Sequence, residues 1–439
     1  MSFPSYAKYG NSGVGWLGQV PAHWQTAKFR HLFRESPEKI EALVVGPMLS
    51  VSGYRGVEVK EYDDENRRRL DEDLVGYRVV RVGQLVVNTM WLNYAGLGVS
   101  EHEGHVSPAY RSYHIHQDMD RRFVHYLLRS ETYVQGYTRL LTGIRPNSLQ
   151  MSRDDLMEFP VLVPPKSEQA TIAAFLDRET AKIDELVVEQ RRLIGLLKAK
   201  RQAIISHVIT KGLDPAAPMK PSGIEWTGDV PTDWEVWKLA HAFAQIGSGT
   251  TPRTDRRDYY DDGETPWVNT GDLCDGELES CEKRITELAL ADHSSLKIYP
   301  SGSLLIAMYG ATIGKLGILS FPATVNQACC VFAGESPIEV KFLFYWFVGF
   351  RQQIVSLAIG GGQPNVNQEI LRSLRLACPG KPEQLAIIEF LDIQTARLDT
   401  LTVAAERAIE LLQERRTALI SATVTGQIDV RGLVESVAA

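Results

Sequence analysis

The feature that most constrains the fold is a stretch that occurs twice. Residues 168–214 contain EQATIAAFLD and then AIISHVITKGLD, and residues 383–429 contain EQLAIIEFLD and then ALISATVTGQID. Gln169 aligns with Gln384, Asp177 with Asp392, Ser206 with Ser421 and Asp214 with Asp429. The step is a constant 215 residues (384 − 169 = 215; 429 − 214 = 215). A repeat of this length without slip means that the chain is built twice on one plan.

Each copy is predicted to be a long helix. In the first, Ile183, Leu186, Gln190, Leu193, Leu197, Lys200 and Ile204 alternate at spacings of three and four; in the second, Leu398, Leu401, Ala405, Ala408, Leu412, Arg415 and Leu419 do the same. That is a seam of period 3.5, suited to two helices wound on each other. No Pro interrupts either run, and Gly195 costs only about 1 kcal/mol relative to Ala. At 1.5 Å per residue, about 35 residues give a rod of roughly 50 Å.

The duplication extends beyond the helices. SGVGWLGQVPAHW (12–24) returns as SGIEWTGDVPTDW (222–234), now at a step of 210 (234 − 24 = 210), so the intervening domains differ in length. DPAAPMKPSG (214–223) before the second copy is Pro-rich and reads as a linker. Within each domain a short β run (85–88; 303–308) precedes a Gly-rich turn, and FVHYLLRSETYVQGYTR and VKFLFYWFVGFRQQIVS look helical. Each domain leaves through a turn with a Pro-Asn pair, GIRPNSLQ (143–150) and GGGQPNVNQ (360–368). The expected fold class is α+β and internally duplicated: two globular domains separated by two long helices that form an antiparallel coiled coil. The expected segments are 1–165, 166–214, 215–380, 381–429 and a tail, 430–439.

Composition narrows the function. The 439 residues are 44% hydrophobic, enough for real cores, and carry a net charge of −7. The charge is uneven: residues 1–165 hold 19 basic and 19 acidic side chains, and residues 215–380 hold 13 and 19. A nucleic-acid partner would therefore need local basic patches or basic partner subunits. The five Cys have no CxxC spacing, which points to a reducing, cytoplasmic setting. No stretch is long enough for a membrane span, since the most apolar run, 342–350, has only nine residues (350 − 341 = 9).

No chemistry motif stands up. GATIGKLG (310–317) has three residues between its glycines where a phosphate loop has four, and Leu316 where that loop has Ser or Thr. GSGTTP (247–252) lacks the rest of a dinucleotide fingerprint, and the Pro164–Pro165 pair is not preceded by the Asn or Asp of a methyltransferase motif. The ten His show no metal-binding spacing. A duplicated chain with no catalytic constellation reads as a recogniser or scaffold.

In the order domain, long helix, domain, long helix, the chain resembles the specificity (S) subunit of type I restriction–modification systems. The resemblance rests on GWLGQVPAHW and EWTGDVPTDW, on PPKSEQATIAAFLD and PGKPEQLAIIEFLD, and on KGLD and GQID, and it covers nearly the whole chain. It implies two target recognition domains, each reading one half of a split, asymmetric site in double-stranded DNA. It implies helices that space the domains and dock two methyltransferase (M) subunits. It also implies no catalysis and no cofactor in this chain: S-adenosylmethionine, ATP and Mg are expected on partner subunits, the restriction/translocase (R) subunits among them.

Candidate DNA-binding residues follow from side-chain chemistry at predicted turns and hairpin tips: Arg suits guanine, Asn and Gln suit adenine, and Lys meets phosphate. In the first domain they are Tyr54, Arg55, Asn88, Trp91, Asn93, Arg111 and Arg145. In the second they are Thr251, Arg253, Arg256, Arg257, Tyr309, Lys315, Asn326 and Gln363. Two other readings fit the same pattern: the specificity chain of a fused, type II-like restriction enzyme, and a coiled-coil scaffold that binds no DNA.

Overall fold

The computed structural model describes residues 3–41, 43–62, 71–143, 149–359 and 365–433. The chain forms two compact units, one of Met1–Arg191 with Glu406–Ala439 and one of Arg192–Ala405. Each unit thus combines an α+β domain with part of both long helices, which span Lys166–Lys211 and Lys381–Val424. At 46 and 44 residues the helices are longer than the seam alone implies, about 69 and 66 Å. They begin directly after Pro164–Pro165 and Pro379–Gly380, and the second carries Pro382 in its first turn, where a backbone N–H would have no partner within the helix.

In the first unit a four-stranded antiparallel sheet runs in the order Phe33–Glu35, Tyr110–Ile115, Leu85–Asn88, Leu97–Val99. Leu85, Val86 and Val87 are all fully buried, because the sheet is covered on both faces. Leu85 and Val87 face the main core with Phe123, Leu127 and Tyr133, whereas Val86 faces a small cluster with Leu49, Val57, Val80 and Val106. The segment expected to be helical forms two helices, Arg121–Arg129 and Glu131–Thr138. Ser130 lies between them in an extended conformation, and Asp120 caps the first through the amides of Arg122 and Phe123.

The second unit repeats this plan with an addition. Its sheet runs Gln245–Ser248, Cys329–Ala333, Leu304–Ala307, Leu316–Leu319, and then gains a parallel edge strand, Gly276–Leu278. Leu304 and Ile306 face the core of helix Val340–Gly349, while Leu305 and Ala307 face a second core with Val268 and Val325. The second helical segment is likewise split, at Phe350.

The seam keeps its period but not its phase. Ile183 and Leu197 are buried as expected, yet Leu186 and Leu193 are half exposed, and Val187 and Ile194 turn inward instead. In the second helix Leu398, Ala405 and Leu419 are buried, Leu401 is exposed, and Thr402 takes its place. Similarly Arg201 and Arg416, rather than Lys200 and Arg415, occupy the charged slots. Adjacent apolar pairs such as Leu186–Val187 satisfy a 3.5-residue period in either phase, so the pattern alone cannot choose between them.

Candidate nucleic-acid interface

Both domains are fixed to the long helices by the same set of contacts. Gln169 is fully buried; its amide donates to the carbonyls of Asp118 (3.1 Å) and Pro164 (2.9 Å) and accepts from the Asp120 backbone N–H (2.8 Å). Gln384 does the same with Pro337 (2.9 Å), Pro379 (2.8 Å) and Glu339 (2.7 Å). Tyr126 donates to Asp177 at 2.8 Å and Tyr345 to Asp392 at 2.6 Å; Arg122 and Lys341 complete the two carboxylate sites at 2.9 and 2.8 Å. Burial pushes the Tyr126 phenol up to about 12, and the carboxylate beside it adds to the effect.

The Trp motifs join the same latch. The Trp24 indole donates to Glu168 at 3.1 Å and the Trp234 indole to Glu383 at 3.3 Å. Trp16 stacks on Phe159 and meets Tyr133 edge-on, while Trp226 packs on Trp346 and Phe350. The copies differ around the first glutamate. His23 lies 2.8 Å from Glu168, but its counterpart 210 residues on is Asp233 (233 − 23 = 210), and burial together with Asp233 raises the Glu383 carboxyl.

The candidate side chains fall into separate groups. Tyr54 faces the long helices: its hydroxyl donates to Asp184 at 3.0 Å, and the Arg416 guanidinium lies 5.1 Å from its ring centre. Arg55 pairs with Glu58 at 2.7 Å. Both line a cleft of about 830 Å³ whose walls include Arg121, Arg122, His125 and Arg191. Asn93 lines a neighbouring cavity, with its buried Oδ1 unpaired among the described residues.

Asn88, Trp91 and Arg111 lie elsewhere in that unit. Asn88 ends a central strand, is buried, and accepts from the Met90 amide at 3.1 Å. Trp91 is exposed against Tyr94. Arg111, opposite Val87 in the sheet, donates to Glu35 at 2.7 Å. Arg145 lies outside the described residues; Thr142 and Gln150, which flank that stretch, form a bridge. The Met151 amide donates to the Thr89 carbonyl (3.1 Å).

The second unit builds the corresponding corner in the same way. Ile359 and Asn365 bridge, and the Val366 amide donates to the Met308 carbonyl at 2.8 Å; Gln363 lies outside the described residues. Tyr309 bridges Asn365, and Lys315 is exposed beyond the Gly310–Thr312 turn. Asn326 is mostly buried and donates to Asn269 at 3.1 Å. Thr251 donates to Gln327 at 2.6 Å. Arg253 grips Asp255 with two bonds of 3.1 and 2.7 Å; Arg256 grips Asp258 and lies over the Tyr259 ring; Arg257 is exposed.

Sequence reasoning passes over Glu35, Arg153 and Arg351. Glu35 gathers Arg78 (3.3 Å), Arg111 (2.7 Å) and Arg153 (3.4 Å), and Arg351 pairs with Asp275 at 2.6 Å. These partners are 43 to 118 residues apart (78 − 35 = 43; 153 − 35 = 118), so no local pattern announces them. Among the described residues no group of His, Cys, Asp and Glu could hold a metal ion, and no helix is long and apolar enough to cross a membrane.

Two diverged α+β domains latched by one repeated set of contacts onto duplicated long helices define a modular, internally duplicated protein. Comparison with known proteins shows what the chain resembles. Residues 231–411 match the type I restriction modification DNA specificity domain. The chain is 27% identical over 184 residues to the EcoR124I/EcoR124II specificity subunit of Escherichia coli, a match covering 41% of this chain and 45% of that subunit. It is 25% identical over 338 residues to the MjaVIII specificity subunit of Methanocaldococcus jannaschii, covering 72% of each. The fold matches a chain of a type I restriction–modification assembly with a TM-score of 0.73 at 14% identity, over 93% of this chain and 99% of that one. It also matches the HsdS subunit of Thermoanaerobacter tengcongensis with a TM-score of 0.55 at 15% identity, over 93% and 98%. The matched domain and these relatives make the chain similar to specificity subunits of type I restriction–modification systems, and the two solved structures share its fold.

Proposed function

We propose that this chain is the DNA sequence-recognition subunit of a type I restriction–modification complex and leaves catalysis to its partners. Residues 1–165 and 215–380 are the target recognition domains, each reading one half of a bipartite, asymmetric site in double-stranded DNA. Residues 166–214 and 381–429 space them, pair as an antiparallel coiled coil and dock two methyltransferase subunits; residues 430–439 form a tail. S-adenosylmethionine, ATP and Mg belong to the methyltransferase and restriction subunits. Basic surface on those partners offsets the acidic balance of this chain. Antiparallel pairing is supported by two ion pairs, Asp184–Arg416 and Arg201–Asp399, whose residue numbers have the same sum (184 + 416 = 600; 201 + 399 = 600).

The observation that carries this reading is the repeated latch. The contacts of Gln169, Asp177 and Glu168 reappear at Gln384, Asp392 and Glu383, while the domains they hold differ in their sheets and exposed turns. Constant attachment with variable surfaces suits two modules that read different half-sites. The test is to replace residues 25–160 with the equivalent domain of another specificity subunit and to sequence the methylated motif in cells. One half of the motif should change and the other stay. A change in both halves, or in neither, overturns the reading.

A further inference from the structure

A small cavity of about 190 Å³ opens in the first unit beside the strand ends that carry Asn88 and Arg111. Arg111 and Tyr113 reach it from one face of their strand, being two residues apart. Thr89 comes from the end of the neighbouring strand, Gln150 from the bridge with Thr142, and Arg153 from the short helix that follows. Three separate stretches of chain therefore converge on one point.

Two features single it out. The first is Tyr113, which is fully buried, with its ring held edge-on against Phe29 at 5.2 Å, yet its hydroxyl has no hydrogen-bond partner among the described residues. Buried hydroxyls are normally paired, so an unpaired one on a cavity wall needs an explanation. The second is charge. Glu35 lies opposite Tyr113 in the sheet and binds Arg78, Arg111 and Arg153, leaving two positive charges in excess (3 − 1 = 2). Burial raises the Glu35 carboxyl, but the three guanidiniums outweigh it and hold it below the usual range, so the clamp stays charged. Gln150 is exposed at the rim, its amide making one long contact of 3.5 Å with Thr89.

We propose that this cavity takes one base of the DNA target, with the Tyr113 hydroxyl and the Gln150 amide discriminating its edge and Arg111 and Arg153 holding the adjacent phosphate. Glu35 is a positioning residue that fixes both guanidiniums. The chemistry is that of a nucleotide: a planar group with hydrogen-bonding edges, attached to an anion. The cavity is too small for a base pair or a helix, and it adds a specificity-determining hydroxyl that no sequence pattern marks. The inference rests on the recognition reading above.

The experiment uses the full chain assembled with its methyltransferase partners. Tyr113→Phe removes an oxygen that bonds to nothing among the described residues, so the fold should be kept. It should relax one base position in one half-site, raising methylation of sites substituted there roughly tenfold relative to the parent motif. Gln150→Leu, at the exposed rim, should relax the same position. Arg153→Gln should weaken binding to all sequences alike and lower the salt slope by about one. Glu35→Gln should weaken binding while leaving thermal stability within a few degrees. An unchanged motif in both Tyr113→Phe and Gln150→Leu overturns the proposal. If exchange of residues 25–160 still changes one half-site, only the cavity assignment fails; if that exchange is also silent, the recognition reading fails with it.

Discussion

Arg416 donates from its Nε to Oδ1 of Asp184 at 3.0 Å, joining the two long helices within the first unit. Its image under the repeat is in the second unit, where Arg201 meets Asp399 at 3.2 Å with the helices exchanging roles (184 + 215 = 399; 201 + 215 = 416). One ion pair used twice pins the same helix register in each unit. Arg416→Asp should destabilise the first unit by about 1 kcal/mol, since Asp184 is partly exposed and solvent screens the pair. Combining it with Asp184→Arg should restore most of the loss. Urea unfolding of single and double variants measures it, and a double variant no better than the sum of the singles would show that the pair does not set the register.

Gln169 and Gln384 should be the most sensitive polar positions. Each is fully buried and satisfies three backbone groups. Truncation to Ala strands an N–H and two carbonyls, at about 1–3 kcal/mol per group. Gln169→Ala should lower stability by about 3 kcal/mol or more, and Gln384→Ala by a similar amount, as read by denaturant midpoint. A loss below about 1 kcal/mol in either would mean that water reaches the site and replaces the amide.

His125 makes the first unit sensitive to mild acid. Burial and the charges of Arg129 and Arg416 push its pKa down to about 3, from an unfolded value of about 6.5. The unfolded chain therefore binds the extra proton first. The stability from the neutral imidazole is full above about pH 6.5 and declines as pH falls towards 3. Between pH 7 and 5.5 the loss should be about 1 kcal/mol, since the side chain also lines the large cleft. Hydrogen exchange in Arg121–Arg129 should report it, and His125→Asn, which keeps an acceptor for the Val99 amide, should flatten the dependence.

The spacer role predicts a change in the distance between half-sites. Inserting four residues between Leu193 and Arg201 adds about 6 Å of helix and turns the seam about 40° beyond a full turn. If the complex assembles, the preferred gap in the methylated motif should lengthen by one or two base pairs, at about 3.4 Å each, with the bases in each half unchanged. An active complex with an unchanged gap would leave the helices as docking surfaces alone.

The repeat makes much of this architecture legible in the sequence. A constant step of 215 residues locates both helices and requires Gln169 and Gln384, or Asp177 and Asp392, to have matching duties, because equal sequence in equal context folds alike. What it cannot choose is the phase of the seam: Leu186 and Val187, or Leu193 and Ile194, fit a 3.5-residue period equally well, and only the neighbouring elements bury one of each pair. Nor can it tell which polar side chains are committed. Tyr54 is drawn to Asp184, 130 residues away, and Arg111 to Glu35, 76 residues away. Residue type brings forward Arg111 and Asn88, and by the same chemistry Gln150 and Arg153, but not Tyr113 or Glu35. The cavity lined by Tyr113, Gln150 and Arg153 exists only because strand register sets Tyr113 beside Leu85 and opposite Glu35, and because Gln150 lies against Thr89. Periodicity reports which face of an element is apolar; which distant charges and hydroxyls meet on that face is decided by tertiary pairing, which leaves no local trace in the sequence.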